Sequence, residues 1–262
     1  MVAIFSNKKE FIFRAVSEMY SDVAQHPERT FHFPTGRLAC LFVGYPPSQL
    51  DALIPTAVES FAGVGYPFAA DVLRDGDIVL DIGSGSGTDT LIASILVGQQ
   101  GKVHALDMTE AMLDKLRRNV QAMAMANVEP LYGNAEAIPL PDSSVDVVTS
   151  NGVLNLVPDK PRAFAEIARV LKSQGRLQIS DIALTEPVSE KARSDPKLWA
   201  ECVVGAVREE DYVAALRTAG FEVTIIHRQD YFAESINADT RRAAQTLGAH
   251  AITLRGVRAT TS

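Results

Sequence analysis

The sequence predicts an α/β fold in which helices cover both faces of a mostly parallel sheet. Three observations lead to this prediction. From Ile78 onward, short β-branched segments alternate with longer amphipathic ones, as in parallel strands joined by crossover helices. A glycine-rich segment directly follows the first of these strands. The chain has 262 residues, 47% of them apolar, which suits one such domain with appended elements, whereas two full domains would be a tight fit.

The first 70 residues are predicted to form a helical extension that precedes this domain. Apolar side chains recur at helical spacing over residues 8 to 25, and segments broken by proline and glycine follow at 31 to 37 and 44 to 47. We interpret residues 1 to 70 as a helical N-terminal lid and residues 71 to 262 as the main domain.

The main domain is predicted to begin with the strand IVLDI, after which helices and strands alternate. The strands that follow have the sequences VHALD, VEPLY, VDVVTS and RLQISDI. Residues 184 to 208 break the rhythm and are interpreted as an insertion on the substrate side. The strands FEVTIIH and AITLRGV are predicted to complete the sheet. Helices are expected at residues 88 to 98, 109 to 122, in a short segment after VEPLY, at 160 to 172 and at 209 to 219.

Charge and cysteine content argue against several classes of function. Asp and Glu outnumber Lys and Arg by 32 to 25, and this net charge of −7 disfavours nucleic acids as partners. The apolar runs are too short for a signal peptide or a membrane span, so a cytoplasmic location is expected. Cys40, Cys202 and the five histidines lack the spacing of a disulfide framework or a metal site, and we predict no metal.

The segment VLDIGSGSG at residues 79 to 87 predicts a ligand site after the first strand, because its glycines let a ligand approach the backbone closely. The spacing departs from the GxGxxG of dinucleotide sites, since Thr88 stands where the third small residue is expected. A carboxylate at Asp81 would repel a pyrophosphate. It favours a ligand with cationic groups, such as the ammonium and sulfonium of S-adenosylmethionine. A tight turn without a ligand is the alternative.

Polar residues at the ends of the next two strands extend this predicted site. Asp107 ends the strand VHALD, where a carboxylate can accept hydrogen bonds from both hydroxyls of a ribose; a polar residue that merely precedes the helix cap Thr109 is the alternative. After the third strand, Asn134 and Ala135 are the candidates to contact an adenine edge, although a plain turn explains either residue equally well. The same cofactor site is predicted to include their neighbours Ser84, Met108 and Glu136.

Four segments of the chain carry a family resemblance, and they occur in the order LDIGSGSG, ALDMTEAML, GNAEAIPLPDSSVDVVTSNGVLNLVPDK and AFAEIARVLKSQGRLQISDI. Over roughly residues 70 to 183 they resemble the class I S-adenosylmethionine-dependent methyltransferases. The resemblance implies a doubly wound, seven-stranded Rossmann-like sheet and S-adenosylhomocysteine as a product. It also implies positions for the ligand: the methionine end at Asp81, Gly83 and Gly85, the ribose at Asp107, the adenine at Asn134 and Ala135, and the methyl-transfer cavity at Ser150 and Asn151.

Within that superfamily the chain is most similar to the arsenite methyltransferases, in DMTEAML, SNGVLNLVPDK, ISDI and LWAECVVGAVREEDY. Those enzymes hold arsenic through cysteine thiolates, whereas Gly152 and Val64 stand at two of the matching positions here. Only Cys202 remains, and one thiol does not suffice for soft As(III). Cys40 as a second ligand, and Cys202 as an ordinary buried thiol, are both left open. We expect an acceptor other than arsenite, with arsenite or another thiophilic metalloid as the alternative.

Methyl transfer from a sulfonium depends mainly on holding the acceptor against the methyl group. A general base is needed only where the acceptor loses a proton early, and His32 and Asp181 are the candidates; for His32 a structural role is the alternative. The extension and the insertion are expected to cover the ligand and select the acceptor. Tyr20 and Trp199 are further candidates for the cavity wall, and Arg37 and Tyr45 for orienting the acceptor; for Arg37 an ion pair with a surface carboxylate is the alternative.

The main hypothesis is therefore an enzyme that methylates a small organic molecule. A protein that binds the cofactor without turnover is one alternative. A nicotinamide-dependent oxidoreductase is another, which Asp81 and the glycine spacing disfavour.

Overall fold

The computed structural model describes residues 2–188, 204–233 and 238–259, and these form one seven-stranded sheet with helices on both faces. Short segments rich in Val, Ile and Leu build the strands, as is typical of strands that are covered on both sides. In chain order the strands are β1 (Ile78–Ile82), β2 (Lys102–Asp107), β3 (Val128–Tyr132), β4 (Val145–Asn151), β5 (Leu171–Ala183), β6 (Phe221–Gln229) and β7 (His250–Arg258).

The spatial order of the sheet is β3-β2-β1-β4-β5-β7-β6. Strands β1 to β5 pair in parallel, while β7 is antiparallel to both of its neighbours, β5 and β6. The predicted mostly parallel, doubly wound sheet is confirmed. The chain reverses its direction of winding between β1 and β4, and in open sheets of this kind ligands bind at such a switch point, beyond the carboxyl ends of the strands.

Adjacent residues of β1 show how both faces are buried. Val79 packs with Leu91, Ile92 and Val97 in one apolar cluster. Leu80, the next residue, belongs to a second cluster on the opposite face, because successive side chains of a strand point to opposite sides. The covering helices are α5 (Thr88–Val97), α6 (Glu110–Ala122), α7 (Lys160–Val170), α8 (Glu209–Thr218) and α9 (Ala238–Leu247).

Two predictions about elements differ from the structure. The short helix expected after VEPLY is wrong: the segment forms a turn in which Asn134 accepts a hydrogen bond from the N–H of Glu136, and Asn134 and Ala137 make an isolated bridge. Pro139 and Pro141 follow closely and disfavour helix continuation. Helix α9 was not predicted, because its sequence, ADTRRAAQTL, offers mainly alanines as its apolar side.

The N-terminal extension is helical, as predicted. It contains α1 (Val2–Gln25), α2 (Gly36–Phe42), α3 (Pro47–Asp51) and α4 (Pro55–Val58). Val23 near the end of α1 packs against Met112 of α6, and Val16 packs near Leu156 beyond β4, so α1 crosses the carboxyl edge of the sheet. Buried residues of the extension share one apolar cluster with β1, and the proposed boundary at residue 70 stays a prediction.

The ends of the predicted insertion meet in a parallel bridge between Leu184 and Arg208, while residues 189 to 203 lie outside the described part.

Among the described helices, none combines the length and the apolar character needed to cross a membrane.

Candidate functional site

A cavity opens where the carboxyl ends of β1, β2 and β4 meet, underneath α1. Phe13, Val16 and Tyr20 of α1 form part of its wall. The cavity brings together most of the predicted cofactor residues, which come from four separate segments of the chain: Gly83, Ser84, Gly85, Asp107, Met108, Asn134, Ala135 and Asn151.

The glycine-rich turn forms the floor of this cavity. Gly83 has a φ of +75°, a region that favours glycine, and a Cβ there would lie 2.2 Å from Cγ2 of Val153. The turn is fixed to the neighbouring strand because the N–H groups of Gly83 and Ser84 both donate to the carbonyl of Leu106. The Ser84 hydroxyl is buried and has no hydrogen-bond partner in the described structure. A buried polar atom without a protein partner is rare, and at the wall of a cavity a ligand or an ordered water is expected to complete its bonding.

Asp107 lies at the end of β2, beside the glycine turn. One carboxylate oxygen accepts the N–H of Gly85 at 2.9 Å, and the other accepts the N–H of Thr109 at 2.8 Å. Burial raises the pKa of this carboxyl group. Hydrogen bonds from the Thr109 side chain and the Met108 backbone also lower the pKa of this group, so the carboxylate is firmly oriented at the cavity wall.

The residues after β3 divide between the cavity and α1. Asn134 and Ala135 line the cavity, but Glu136 does not. The Glu136 carboxylate instead forms an ion pair with Lys9 of α1 and accepts the N–H of Asp159. Glu136, which the sequence assigned to the cofactor site, therefore holds α1 against the loop that precedes α7.

Asp81 lies next to the cavity without lining it. Its side chain is 2% exposed, and the Thr90 hydroxyl donates to it at 2.5 Å. Besides Asp107, the carboxylate that lines the cavity is Asp89, in the first turn of α5. Burial raises the pKa of both groups, and their mutual repulsion raises that of Asp81 further. Asp89 was not predicted from the sequence, where it is only an acidic residue at the start of a helix, a position that the helix dipole alone explains.

Asn151 connects Asp89 to the N-terminal extension. Its Nδ2 lies 3.1 Å from an Asp89 oxygen, 3.0 Å from the Tyr45 hydroxyl and 2.9 Å from the carbonyl of Gly65. Its Oδ1 accepts the N–H of Val64 at 2.8 Å. The Tyr45 hydroxyl itself donates a short hydrogen bond to Asp89. Asn151 thus fixes the loop at residues 63 to 65 against the end of β4.

Val64 and Gly152, the two positions at which the family resemblance implies thiols that this chain lacks, are neighbours in space. A Cβ on Gly152 would lie 3.2 Å from Cγ1 of Val64, and Gly152 has a φ of +71°, which disfavours any side chain. Neither position carries sulfur. Cys40 is fully buried, and burial raises the pKa of its thiol; Cys202 and Trp199 lie outside the described residues.

The structure does not bring the two predicted general bases to the cavity. Asp181 is fully buried and accepts hydrogen bonds from the Tyr212 hydroxyl and the N–H of Ile182, both at 2.9 Å. Ser180, the preceding residue, faces Gly65, so Asp181 points to the opposite face of the sheet. His32 packs edge-on against Phe33 with ring centroids 4.6 Å apart, and it is not among the lining residues.

Three other predicted residues also lie off the cavity wall. Ser150 is 1% exposed, and its hydroxyl donates to the carbonyl of Ile82. Arg37 forms an ion pair with Asp51 at the surface of the extension. Tyr45 is buried and reaches the cavity only through its contacts with Asp89 and Asn151.

The charge of the cavity fits a cationic ligand. Among the described residues that line it, none is a lysine, an arginine or a histidine, whereas Asp89 and Asp107 are both present and Asp81 lies behind them. Buried carboxylates without a compensating cation are costly, and a bound positive group would relieve that cost. Together with the unpartnered Ser84 hydroxyl, this arrangement suits a ligand that carries an ammonium and a sulfonium.

Comparison with known proteins agrees with this geometry. Residues 73–237 match the family model described as "Methyltransferase domain". Over 195 residues, 74% of this chain, the sequence is 41% identical to an arsenite methyltransferase of Halobacterium salinarum and covers 50% of that protein. Over 121 residues, 45% of this chain, it is 39% identical to the ubiquinone/menaquinone biosynthesis C-methyltransferase of Escherichia coli and covers 48% of it.

Among solved structures, the chain is similar to an arsenic(III) S-adenosylmethionine methyltransferase from Chlamydomonas reinhardtii. The TM-score is 0.66 at 29% identity, with 87% of this chain and 74% of that chain covered. The chain spans about half the length of the curated relatives it matches.

Proposed function

The chain belongs to the S-adenosylmethionine-dependent methyltransferases, and we propose on this basis that it transfers a methyl group from S-adenosylmethionine to a small molecule. One observation carries the proposal: the glycine turn, Asp107 and Asn134 follow three adjacent parallel strands and line one cavity. These are the positions at which an open parallel sheet holds a nucleoside with an attached charged group.

Each part of the cavity has a role in this proposal. The turn at Gly83 to Gly85 holds the methionine end, with the Ser84 hydroxyl as a donor to it. Asp107, oriented by two backbone N–H groups, accepts the ribose hydroxyls, and Asn134 with Ala135 contacts the adenine. When bound, the cofactor supplies a methyl group on a positively charged sulfur, which is a good leaving group.

The chain's contribution to catalysis is then mainly positioning. The apolar side chains of α1 exclude water from one side of the cavity, and Asn151 fixes the loop at residues 63 to 65 on the other. Holding two reactants in contact contributes a large part of the rate enhancement in such displacements. Neither His32 nor Asp181 is assigned a part in this proposal, because both lie off the cavity wall.

Binding and turnover test the proposal separately. We expect calorimetry to detect S-adenosylmethionine and S-adenosylhomocysteine at micromolar concentrations and to detect no binding of NAD. We also expect S-adenosylhomocysteine to form when a suitable small molecule is added. Binding of NAD without binding of S-adenosylmethionine would contradict the proposal. Cofactor binding without turnover on any acceptor would favour a binding protein that has lost catalysis.

Arsenite is the second candidate acceptor, because curated relatives carry that activity in their names. Val64 and Gly152 argue against it, since soft As(III) needs converging thiolates and these adjacent positions have none. We expect no arsenite-dependent formation of S-adenosylhomocysteine by the wild-type protein. The matched control is the Cys202→Ser variant. Arsenite turnover by the wild type that is lost in this variant would establish the arsenite activity.

Other properties predicted from the sequence stay predictions. They are the cytoplasmic location, the absence of nucleic acid, membrane and metal from the function, and the selection of the acceptor by the insertion at residues 184 to 208.

A further inference from the structure

Asp89 is the carboxylate that the proposed cofactor contacts leave unassigned. It lies in the first turn of α5, is 8% exposed, and is part of the cavity wall. The predicted methionine, ribose and adenine contacts come from the glycine turn, Asp107 and the segment at Asn134. Asp89 has no part in them, although it is one of the two carboxylates that line the cavity.

The contacts of Asp89 fix its direction. The Tyr45 hydroxyl donates to one of its oxygens, and Nδ2 of Asn151 donates to the other at 3.1 Å. Neither donor carries a charge, so the carboxylate is oriented without being neutralised. The N-terminus of α5 favours a negative charge at this position. One further acceptor site on each oxygen stays available for a donor in the cavity.

Asp89 lies on the acceptor side of the cavity. Asn151 binds both Asp89 and the backbone at Val64 and Gly65. Val64 in turn lies against Gly152. Val64 and Gly152 are the two positions that match acceptor ligands in the arsenite methyltransferases. Asn151 and Gly152 line the cavity, so by this resemblance we place the acceptor on the side of the cavity where Asp89 lies.

The rest of the wall restricts the chemistry of that acceptor. Phe13, Tyr20 and Phe61 provide aromatic surface, which favours an apolar or aromatic body. No described lining residue is basic, so no side chain of the wall forms an ion pair with a carboxylate or a phosphate on the acceptor, and Asp89 disfavours such a group nearby.

We propose that the acceptor is an amine with an apolar body, and that Asp89 binds its nitrogen and takes the proton that the nitrogen must lose. This proposal rests on the proposed methyltransferase function. An amine enters as an ammonium ion, which pairs with the Asp89 carboxylate. Asp89 accepts one proton, which frees the nitrogen lone pair. That lone pair forms the new N–C bond to the methyl carbon while the C–S bond breaks and its electrons stay on sulfur, giving S-adenosylhomocysteine. The proton on Asp89 leaves to solvent when the product departs.

Tyr45 and Asn151 act in this proposal as positioning residues for Asp89. They hold the carboxylate toward the cavity. Neither side chain carries a charge that would pair with the acceptor. The same geometry explains why the sequence motif alone does not reveal the site, because Tyr45 and Asn151 are separated from Asp89 by 44 and 62 residues.

Three probes with one ring and different head groups test the proposal: 2-phenylethylamine, 2-phenylethanol and phenylacetate. Each is titrated into the full-length protein saturated with S-adenosylhomocysteine, and binding is measured by calorimetry. We expect the amine to bind at least about tenfold more tightly than the alcohol, as for a charge-assisted hydrogen bond, and we expect no binding of phenylacetate. Equal affinity for the amine and the alcohol, or binding of phenylacetate, would overturn the proposal.

The Asp89→Asn variant assigns the preference to this residue. We expect it to lose the preference for the amine while its affinity for S-adenosylhomocysteine changes by less than about threefold, because the cofactor contacts lie elsewhere. The matched control is Asp146→Asn, which removes a carboxylate that pairs with Lys172 outside the cavity and should retain the preference. A preference for the amine that survives in Asp89→Asn would overturn the proposal.

Two outcomes separate this proposal from the function on which it rests. If wild-type protein does not bind S-adenosylhomocysteine, the methyltransferase function itself fails. If Asp89→Asn loses affinity for S-adenosylhomocysteine and for the amine by the same factor, Asp89 belongs to the cofactor site and the amine proposal alone fails. The comparison of the three probes uses only wild-type protein. It therefore tests the preference for an amine even if Asp89→Asn does not fold.

Discussion

Asp107 contributes both to the local structure at the end of β2 and to the proposed binding of the cofactor. Its carboxylate is held by the N–H groups of Gly85 and Thr109 and faces the cavity. We expect Asp107→Ala to lower the affinity for S-adenosylhomocysteine roughly 10- to 100-fold, since hydrogen bonds to a charged group contribute about 1.5–3 kcal/mol. Calorimetry measures the effect, with the exposed Asp114→Ala as a control. An unchanged affinity in Asp107→Ala would show that the ribose does not lie there.

A second prediction concerns the effect of Asp181 on the pH dependence of the stability of the folded protein. Burial raises its pKa to about 7, far above the value of an exposed carboxyl group. In the unfolded chain the group ionises near pH 4, so the folded state loses stability as the pH rises from about 4 to about 7. We expect Asp181→Asn to weaken this dependence in urea unfolding at pH 5 and pH 8. Asp146→Asn is the control and should leave the difference between pH 5 and pH 8 unchanged, because the Lys172 ammonium helps hold the pKa of Asp146 low and the group is ionised in both states above pH 5. The same pH dependence in Asp181→Asn and wild type would refute the prediction.

Single residues also show which features of the site cannot be predicted from the sequence. The glycine turn, Asp107 and Asn134 were found because each follows a recognisable strand. Whether a carboxylate near such a turn faces the ligand depends on its neighbours: Thr90 binds Asp81, while Asp89 reaches the cavity because Tyr45 and Asn151 hold it there. Those contacts join distant parts of the chain, and no local pattern predicts them.

At the scale of elements, α1 is the cover of the cavity, and its described N-terminal half is held partly by the ion pair between Lys9 and Glu136. We expect Lys9→Ala to speed the release of S-adenosylhomocysteine about three- to tenfold, the effect of losing a partly buried pair. Stopped-flow displacement measures the rate. Arg14→Ala removes an exposed charge from the same helix and should change the rate by less than about twofold. Equal release rates for Lys9→Ala and wild type would show that this contact does not hold the cover closed.

The elements of the sheet were largely predictable, because their apolar and β-branched runs follow directly from burial on two faces. The residues at which the elements begin and end were less predictable. β5 begins at Leu171 and not at Arg176, since Leu171 pairs with Val145 before the register shifts. Such pairing depends on the neighbouring strand, and the segment LKSQG carries no strand pattern of its own.

For the molecule as a whole, the cavity concentrates negative charge in the interior. A bound cation lowers the pKa of Asp81, which burial and the charge of Asp89 have raised to about 8, so protons leave the protein on binding. We expect S-adenosylmethionine to release more protons at pH 7 than S-adenosylhomocysteine, which lacks the sulfonium charge. Calorimetry in two buffers of different ionisation enthalpy counts them. Equal proton release for both ligands would contradict a role for the sulfonium.

The acceptor site is a property of the whole molecule and was the least predictable part. Val64, Gly152 and Asp89 come from the extension, the loop after β4 and the first turn of α5, and only the folded chain brings them together. The sequence identified two of the three, through a resemblance, as positions that lack a thiol. It contained no indication of what replaces the thiols.

The position of β7 has a consequence for synthesis on the ribosome. β6 is translated before β7, yet among the described strands only β7 pairs with β6, and β7 is also the outer partner of β5. Until residues 250 to 258 have left the exit tunnel, the free edge of β5 and the whole of β6 are open to pairing with other chains. At about 5–20 residues per second that interval lasts a few seconds, and a ribosome that pauses within it would expose a template for aggregation.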